Sequence, residues 1–196
     1  MSLYSQHVLP RLIAGAMRDR RFVPYRQRVL ALAEGRVLEI GAGSGVNLPF
    51  YSDRTTEIVG LEPHPKLRAM AERAGLRVIQ GSAEAIPLDS ASVDCVVTTW
   101  TLCSIPDAAA ALEEMRRVLR PGGRLLFVEH GLALDAGVRR WQQRLTPLWK
   151  HIAGGCHLDR DIPGLIRKAG FDIVQLETGH MEGPRPMTFM YEGWAI

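Results

Sequence analysis

Three glycines at alternate positions follow a short apolar segment, in V-L-E-I-G-A-G-S-G at residues 37–45. A buried strand that ends this way leads into a turn with positive φ angles, and without Cβ atoms a ligand can approach the backbone closely. The alternative is a tight strand-to-helix turn without a ligand, but such a turn rarely needs three glycines. The pattern therefore predicts a binding loop for a nucleotide-like ligand.

The spacing within this loop bears on which ligand binds. Dinucleotide-binding folds favour G-x-G-x-x-G, with the pyrophosphate at a helix N-terminus, whereas this chain has G-x-G-x-G. S-adenosylmethionine has no phosphate, and its amino-acid end suits the acidic Glu39. Glu62 lies about 20 residues after the glycines, where a carboxylate can accept hydrogen bonds from both ribose hydroxyls. An NAD site would place an acid there too, and a solvated loop acid is the other alternative.

Later strands place two more segments at the same edge of the sheet, where ligands bind in open α/β folds. Residues 82–84 follow the third predicted strand and are placed for the adenine. Residues 99–103 follow the fourth and are placed for the methionine arm and the reacting methyl, although Trp100 could instead be a core aromatic. The predicted cofactor contacts are Glu39, Gly41, Ala42, Gly43, Gly45, Asn47, Glu62, Pro63, Ser82, Ala83, Glu84, Thr99, Trp100 and Cys103.

Strands and helices alternate along the chain to position these residues. Apolar runs predict strands at 36–40, 57–61, 76–80, 93–98, 124–129, 171–177 and 187–195, and helical patterns fall at 65–74, 108–119, 138–150 and 160–168. Buried strands between amphipathic helices form a parallel sheet covered on both faces, and only a loop separates the last two strands. We therefore predict an α/β fold: a Rossmann-like, doubly wound, mostly parallel seven-stranded sheet with a C-terminal antiparallel hairpin, in a single domain. Pro121-Gly122-Gly123 is predicted to stop the helix before the fifth strand.

The N-terminal segment, residues 1–35, is predicted to form two helices joined near residues 22–24. We interpret it as a lid that belongs to the same domain as residues 36–196, the cofactor-binding part. The alternative is that the helix over 4–21, apolar on one side and followed by arginines, lies on a membrane surface as a peripheral contact.

Composition indicates one soluble globular domain. Apolar residues make up 46% and charged residues 23% of 196, and the net charge of +3 comes from scattered arginines, which does not indicate a nucleic-acid partner. Three cysteines without close spacing predict neither a disulfide framework nor a zinc site, so we expect a reducing, cytoplasmic location.

Together these segments resemble class I S-adenosylmethionine-dependent methyltransferases of the methyltransferase type 11 group. V-L-E-I-G-A-G-S-G resembles their first motif, G-L-E-P the ribose acid, G-S-A-E-A-I-P-L-D-S-A-S-V-D the adenine loop, and V-L-R-P-G-G-R-L-L-F-V-E-H the fifth strand. Residues 47–51, 61–65, 101–107 and 141–161 are similar to the branch that contains the animal thiol methyltransferases. The resemblance implies S-adenosylmethionine as donor, S-adenosylhomocysteine as product, and a small acceptor such as an alkyl thiol.

A thiol acceptor reacts as its thiolate, so modest assistance from a base would suffice. His130, just past the fifth strand, is the first candidate, and His157 is the second, although each could be a structural histidine. Cys103 and Cys156 are interpreted as packing residues, because no covalent intermediate is needed. No metal site is predicted, because His130, Cys156 and His157 lack the spacing of a ligand pair.

Other functions stay open. The main alternative is phospholipid or quinone methylation at a membrane surface, and a nicotinamide oxidoreductase or a non-catalytic S-adenosylmethionine-binding protein would share the glycine loop. A nucleic-acid methyltransferase is disfavoured, because residues 99–104 lack the Asn/Asp-Pro-Pro-aromatic signature and no basic-aromatic platform is present.

Overall fold

The fold is built on one mixed sheet of seven strands. The structure is a computed structural model that describes residues 4–196. The strands are β1 (Gly35–Ile40), β2 (Thr55–Leu61), β3 (Arg77–Ile79), β4 (Val93–Thr99), β5 (Leu119–His130), β6 (Ile173–His180) and β7 (Phe189–Ala195), in the order β3-β2-β1-β4-β5-β7-β6. Strands β1 to β5 pair in parallel, and β7 is antiparallel to both β5 and β6. The predicted doubly wound sheet and C-terminal hairpin are confirmed.

Helices cover both faces of this sheet. They are α1 (Leu9–Ala16), α2 (Val23–Leu30), α3 (Pro65–Arg73), α4 (Ala108–Val118), α5 (Ala136–Ile152) and α6 (Ile162–Lys168), with a π-helical turn at Tyr4–Val8 and a 3₁₀ turn at Arg20–Phe22. Residues 1–3 of the predicted N-terminal segment lie outside the described residues. No helix within residues 4–196 has both the length and the apolar character that crossing a bilayer requires.

Aspartates start the last three helices. Asp107, Asp135 and Asp161 each accept a hydrogen bond from the backbone N–H three residues later, at 3.0, 2.8 and 3.0 Å. An aspartate at this position satisfies one of the unpaired N–H groups of the first turn. These caps fix where the loops at the carboxyl edge of the sheet end.

The Pro-Gly-Gly segment differs from its prediction. Helix α4 ends at Val118, and β5 begins at the next residue. Val93 of β4 pairs with Leu119, whereas Cys95 pairs with Arg124, so residues 120–123 bulge out of the strand pairing. The segment is therefore a bulge inside β5 rather than the connection after the helix, because the chain turns from helix to strand without a loop.

Alternate residues of the central strands pack on opposite faces. Leu38 and Phe127 belong to a core cluster that includes α4 and α6, and Val37 and Leu126 belong to one that includes α2. All four side chains are fully buried. Truncating a residue such as Phe127 to alanine would cost about 3–5 kcal/mol of folding free energy. This packing holds the carboxyl ends of β1, β2 and β4 in fixed positions.

Candidate functional site

The glycine loop leaves β1 at the carboxyl edge of the sheet. Gly41, Gly43 and Gly45 have φ angles of +65°, +57° and +75°, which side-chain-bearing residues rarely adopt. A Cβ on Gly41 would lie 2.5 Å from the Thr101 side chain, and one on Gly45 would lie 3.2 Å from Cα of Ala71. A Cβ on Gly43 would have its nearest neighbour at 3.7 Å, an ordinary contact. Packing therefore requires Gly41 and Gly45, whereas Gly43 is required by its backbone conformation.

The Glu62 carboxylate joins this loop to the segment after β2. Its Oε2 accepts a hydrogen bond of 2.9 Å from the backbone N–H of Gly43, and its Oε1 accepts one of 2.8 Å from the N–H of His64. Burial raises the pKa of the Glu62 carboxyl, and the two backbone hydrogen bonds oppose that rise. Each oxygen keeps a free lone pair, so the carboxylate can still accept two hydroxyl groups.

Glu39 is the centre of a buried polar network. Its Oε1 accepts from Asn47 Nδ2 and its Oε2 from the Tyr51 hydroxyl, both at 2.9 Å. Asn47 Nδ2 also donates to Thr99 Oγ1 at 2.9 Å, and Asn47 Oδ1 accepts from Arg26 Nε at 2.7 Å. Burial raises the pKa of Glu39 to about 7, although the two hydrogen bonds and the Arg26 charge oppose the rise. The network connects α2, the glycine loop and the end of β4.

Trp100 continues from β4 in a strained conformation. Its φ is +52°, and its backbone N–H donates to Val128 O at 2.7 Å. The indole packs against Phe22 and Tyr25, with ring centroids 4.6 and 6.3 Å away, and the Arg26 guanidinium lies 5.0 Å from its centroid. The Trp100 side chain thus packs under α2, as a core aromatic would, and at the same time lines the cavity, as a cofactor contact would.

A cavity of about 340 Å³ lies between the carboxyl edge of the sheet and α1. Its sheet side is formed by loops after β1, β2, β3 and β4, and its opposite wall is apolar. The described lining comprises Leu9, Pro10, Ile13, Ala14, Met17, Glu39, Ile40, Gly41, Ala42, Gly43, Ser44, Val46, Asn47, Leu61, Glu62, Pro63, His64, Leu67, Ser82, Ala83, Thr99, Trp100, Thr101, Ser104, Ile105, Pro106 and Gly154.

Known proteins share both this sequence pattern and this fold. The model of the methyltransferase domain family matches residues 38–127, from β1 into β5. A thiol S-methyltransferase of Rattus norvegicus is 37% identical over 155 residues. Residues 38–127 of the chain therefore form a methyltransferase domain of the class I type. The match to the rat protein covers 74% of this chain but only 63% of the rat protein.

Two further proteins are more distant from this chain. A phosphatidylethanolamine N-methyltransferase of Cereibacter sphaeroides is 33% identical over 111 residues, which are 53% of this chain and 54% of that protein. The solved structure of an S-adenosylmethionine-dependent methyltransferase from Thermotoga maritima has a TM-score of 0.69 and 24% identity, covering 96% of this chain and 98% of that one. The second likeness supports the fold alone.

Most of the residues predicted to contact the cofactor lie on the wall of this cavity. Gly45, Glu84 and Cys103 are not part of the lining. Glu84 is occupied elsewhere, since its two oxygens accept hydrogen bonds from Ser82 Oγ and from the backbone N–H of Asp107. These bonds hold the loop after β3 against the start of α4, so Glu84 positions its neighbours.

The individual residues of the apolar wall, which lies opposite the glycine loop, were not among the predicted contacts. Leu9, Ile13 and Met17 of that wall lie in or just after α1, and their spacing of four residues marks one helix face. That signal was available in the sequence. Ser104 and Gly154 carry no comparable local signal, because their loops reach the cavity only through the packing of α4 and α5.

His130 and His157, the predicted bases, lie outside the described cavity lining. His130 Nε2 is 2.9 Å from Cys156 Sγ. The backbone N–H of His157 donates to Cys103 O at 2.8 Å, and its Nδ1 is 3.3 Å from Arg160 Nη2. The same Nδ1 is also 3.3 Å from the Cys103 carbonyl oxygen, which can only accept, whereas arginine can only donate, so the two contacts favour opposite tautomers of His157.

The two thiols and the His130 ring interact electrostatically. The hydrogen bond with Cys156 lowers the pKa of Cys103, and the same bond, together with burial, raises the pKa of Cys156. Burial alone would lower the pKa of His130, but the Cys103 charge raises it above its ordinary value. These interactions therefore favour the thiolate form at Cys103 rather than at Cys156.

Proposed function

We propose that this methyltransferase transfers a methyl group from S-adenosylmethionine to a small apolar thiol. The carrying observation is the division of the cavity into two parts. Among its described lining residues the ionisable side chains are Glu39, near the end of β1, and Glu62 and His64, in the segment after β2. The region formed by α1 and residues 104–106 is apolar apart from the Ser104 hydroxyl.

The first part fits the donor. Glu62 would accept hydrogen bonds from both ribose hydroxyls, Glu39 would face the ammonium group of the amino-acid end, and Ser82 would lie beside the adenine. Gly43 leaves room for close approach, because a Cβ there would meet only the Gly41 carbonyl oxygen, at 3.7 Å. When bound, S-adenosylmethionine supplies a methyl group on a positively charged sulfur, so the protein does not have to activate the donor.

The second part fits a thiol acceptor. A cysteine-like thiol has a pKa near 8.5, so about 3% of it is ionised at neutral pH without any base, and a simple alkyl thiol ionises less because its pKa is higher. Hydroxyl and amide acceptors ionise far less and would need a strong base, which the described lining of this part does not offer. In the transfer, the acceptor sulfur forms the new S–C bond, the donor S–C bond breaks, and the thiol proton leaves to solvent or a base.

His130 and His157 as general bases remain predictions. Because neither ring lines the cavity, a base role requires the loops at 101–106 or 154–157 to shift when substrate binds. We also propose that α1 acts as a lid: it forms the apolar wall, and the hydroxyl of Tyr4 donates to Ile152 O at 2.9 Å, linking the start of the chain to the end of α5.

Methylation of a phospholipid or quinone is the second candidate. Apolar side chains of the α1 and α5 region are exposed, including Leu12 at 56% and Leu148 at 68%. One relative bears the name of a phosphatidylethanolamine N-methyltransferase. A surface of this kind could rest on a membrane and admit a lipid headgroup to the cavity.

A methyl-release assay separates these candidates. The purified protein is incubated with S-adenosylmethionine and, in parallel, a series of alkyl thiols, phosphatidylethanolamine vesicles, or a demethylated quinone in detergent. We expect turnover with thiols without any lipid, and none with Glu62→Ala at the same cofactor concentration. Turnover with only the lipid-phase substrates would refute the thiol assignment. If the protein binds the cofactor but methylates none of these acceptors, the result would favour a non-catalytic S-adenosylmethionine-binding protein.

A further inference from the structure

Three side chains with metal-binding atoms meet just outside the cavity. Cys103 follows β4, His130 ends β5, and Cys156 follows α5. One ligand atom from each, two sulfurs and an imidazole nitrogen, lie within 4.8 Å of one another. Cys103 is 2% exposed and Cys156 is 9% exposed, so the thiols meet in the interior.

We propose that Cys103, His130 and Cys156 together bind one thiophilic divalent cation, for which Zn²⁺ is the best match. Thiolate and imidazole are the ligands that zinc prefers, and two sulfurs with one nitrogen are a known zinc set that leaves a fourth position for water or another ligand. Two thiolates and a neutral imidazole balance the charge of a divalent cation. The site would carry no net charge, which its burial favours.

The three ligand atoms, which lie within 4.8 Å of one another, occupy a region of about the size of a tetrahedral zinc site. Zinc–sulfur and zinc–nitrogen bonds of about 2.3 and 2.0–2.1 Å place the ligand atoms about 3.6–3.8 Å apart at tetrahedral angles. His130 Nε2 lies 2.9 Å from Cys156 Sγ, so this pair would have to separate by about 0.7 Å. Side-chain torsions can supply such a change, since the three ligands come from separate segments.

Neighbouring groups already support the ligand atoms. The Trp149 indole N–H donates to Cys156 Sγ at 3.3 Å, and Ser104 Oγ lies 3.5 Å from Cys103 Sγ. Hydrogen bonds to metal-bound sulfur orient it and favour the thiolate. The backbone bond from His157 N–H to Cys103 O, 2.8 Å long, already holds two of the three segments together.

Metal binding would fasten two parts of the cavity wall. Ser104 follows Cys103 directly, Gly154 lies two residues before Cys156, and both line the cavity. The cation would therefore fix the loop after β4 and the loop after α5 relative to each other, independently of which acceptor the enzyme methylates.

Metal content of the full chain tests this proposal. The protein is purified under reducing conditions without a polyhistidine tag, equilibrated with micromolar Zn²⁺, desalted and analysed by mass spectrometry. We expect one zinc per chain. Cys103→Ala and Cys156→Ala should each lower the zinc affinity at least about tenfold. Cys95→Ala is the matched control, because Cys95 is buried in β4 outside the cluster and should leave zinc binding unchanged.

A second measurement avoids the risk that a variant does not fold. Co²⁺ is titrated into the intact protein, and we expect visible bands of a tetrahedral site with thiolate-to-cobalt charge transfer, saturating at one equivalent and removed by Zn²⁺. Absence of these bands together with absence of bound zinc would overturn the proposal. So would zinc content equal in all three cysteine variants, or a Cys103–Cys156 disulfide that persists in reduced, zinc-treated protein.

Discussion

Glu39 should make cofactor affinity depend on pH near neutrality. Burial raises its carboxyl pKa to about 7, while Tyr51, Asn47 and the Arg26 charge oppose the rise and the Glu62 charge adds to it. The ammonium group of the cofactor would interact with the ionised carboxylate only. Binding should therefore draw the proton off Glu39, and affinity should increase as pH rises.

The size of the effect follows from the pKa. With a pKa of about 7, roughly one tenth of Glu39 is ionised at about pH 6 and nine tenths at about pH 8. If only the ionised form binds, affinity should rise about tenfold, or about 1.4 kcal/mol, since the ionised fraction rises from about one eleventh to about ten elevenths. The folding stability of the cofactor-free protein depends on pH in the opposite direction. The pKa of Glu39 is higher in the folded chain than its ordinary value of 4.5, so its contribution to stability is fully present below about pH 4.5 and is lost as pH rises through about 7.

Calorimetric titration with S-adenosylhomocysteine at about pH 6, 7 and 8 measures this linkage, and two buffers of different ionisation enthalpy report the released proton. Glu39→Gln is the matched control. It keeps an acceptor for Asn47 and a partner for the Tyr51 hydroxyl but does not titrate, so its affinity should be weak and independent of pH. Constant affinity in the wild type, or the same slope in Glu39→Gln, would refute the role given to this carboxylate.

Three further predictions concern the donor site. S-adenosylhomocysteine should raise the melting temperature and NAD should not; stabilisation by NAD alone would contradict the assignment of the glycine loop. Glu62→Ala should weaken S-adenosylhomocysteine binding by about 2–4 kcal/mol in calorimetry without unfolding the domain, and unchanged affinity would place the ribose elsewhere. Gly43 and Gly75 both have positive φ and no close contacts, so Gly43→Ala and Gly75→Ala should each lose about 1–2 kcal/mol of folding stability. Only Gly43→Ala should also weaken S-adenosylhomocysteine binding. Equal affinity of the two variants would disprove the close approach of the cofactor to the Gly43 backbone.

The sheet could be predicted because its strands carry local signals. Apolar runs at residues 36–40 and 93–98 are buried on both faces, so they differ clearly from the amphipathic helices between them. The glycine loop and Glu62 could be predicted because each directly follows such a strand. A short distance along the chain then corresponds to a short distance in space.

The bulge and the Arg26 network could not be found in the same way. Pro-Gly-Gly has the same local preference for turns whether it follows a helix or interrupts a strand, and only the pairing of β4 with β5 decides between them. Arg26 had the signature of a surface residue, yet its guanidinium is buried between Asn47 and the Trp100 ring. Its position depends on how α2 packs across the sheet, which no window of sequence contains.

The cysteine–histidine cluster shows where a search by spacing stops being informative. Ligand-pair spacing reports on residues held by one turn or one helix, whereas Cys103 and His130 belong to different strand ends. Parallel pairing places Thr99 opposite Val128, so residues that follow those two positions must emerge side by side. That neighbourhood follows from strand order alone, once β4 and β5 are assigned as adjacent. Cys156 does not follow from it, because its position depends on the length and packing of α5. Candidate metal ligands in parallel sheets are therefore better sought by comparing the carboxyl ends of adjacent strands than by counting residues along the chain.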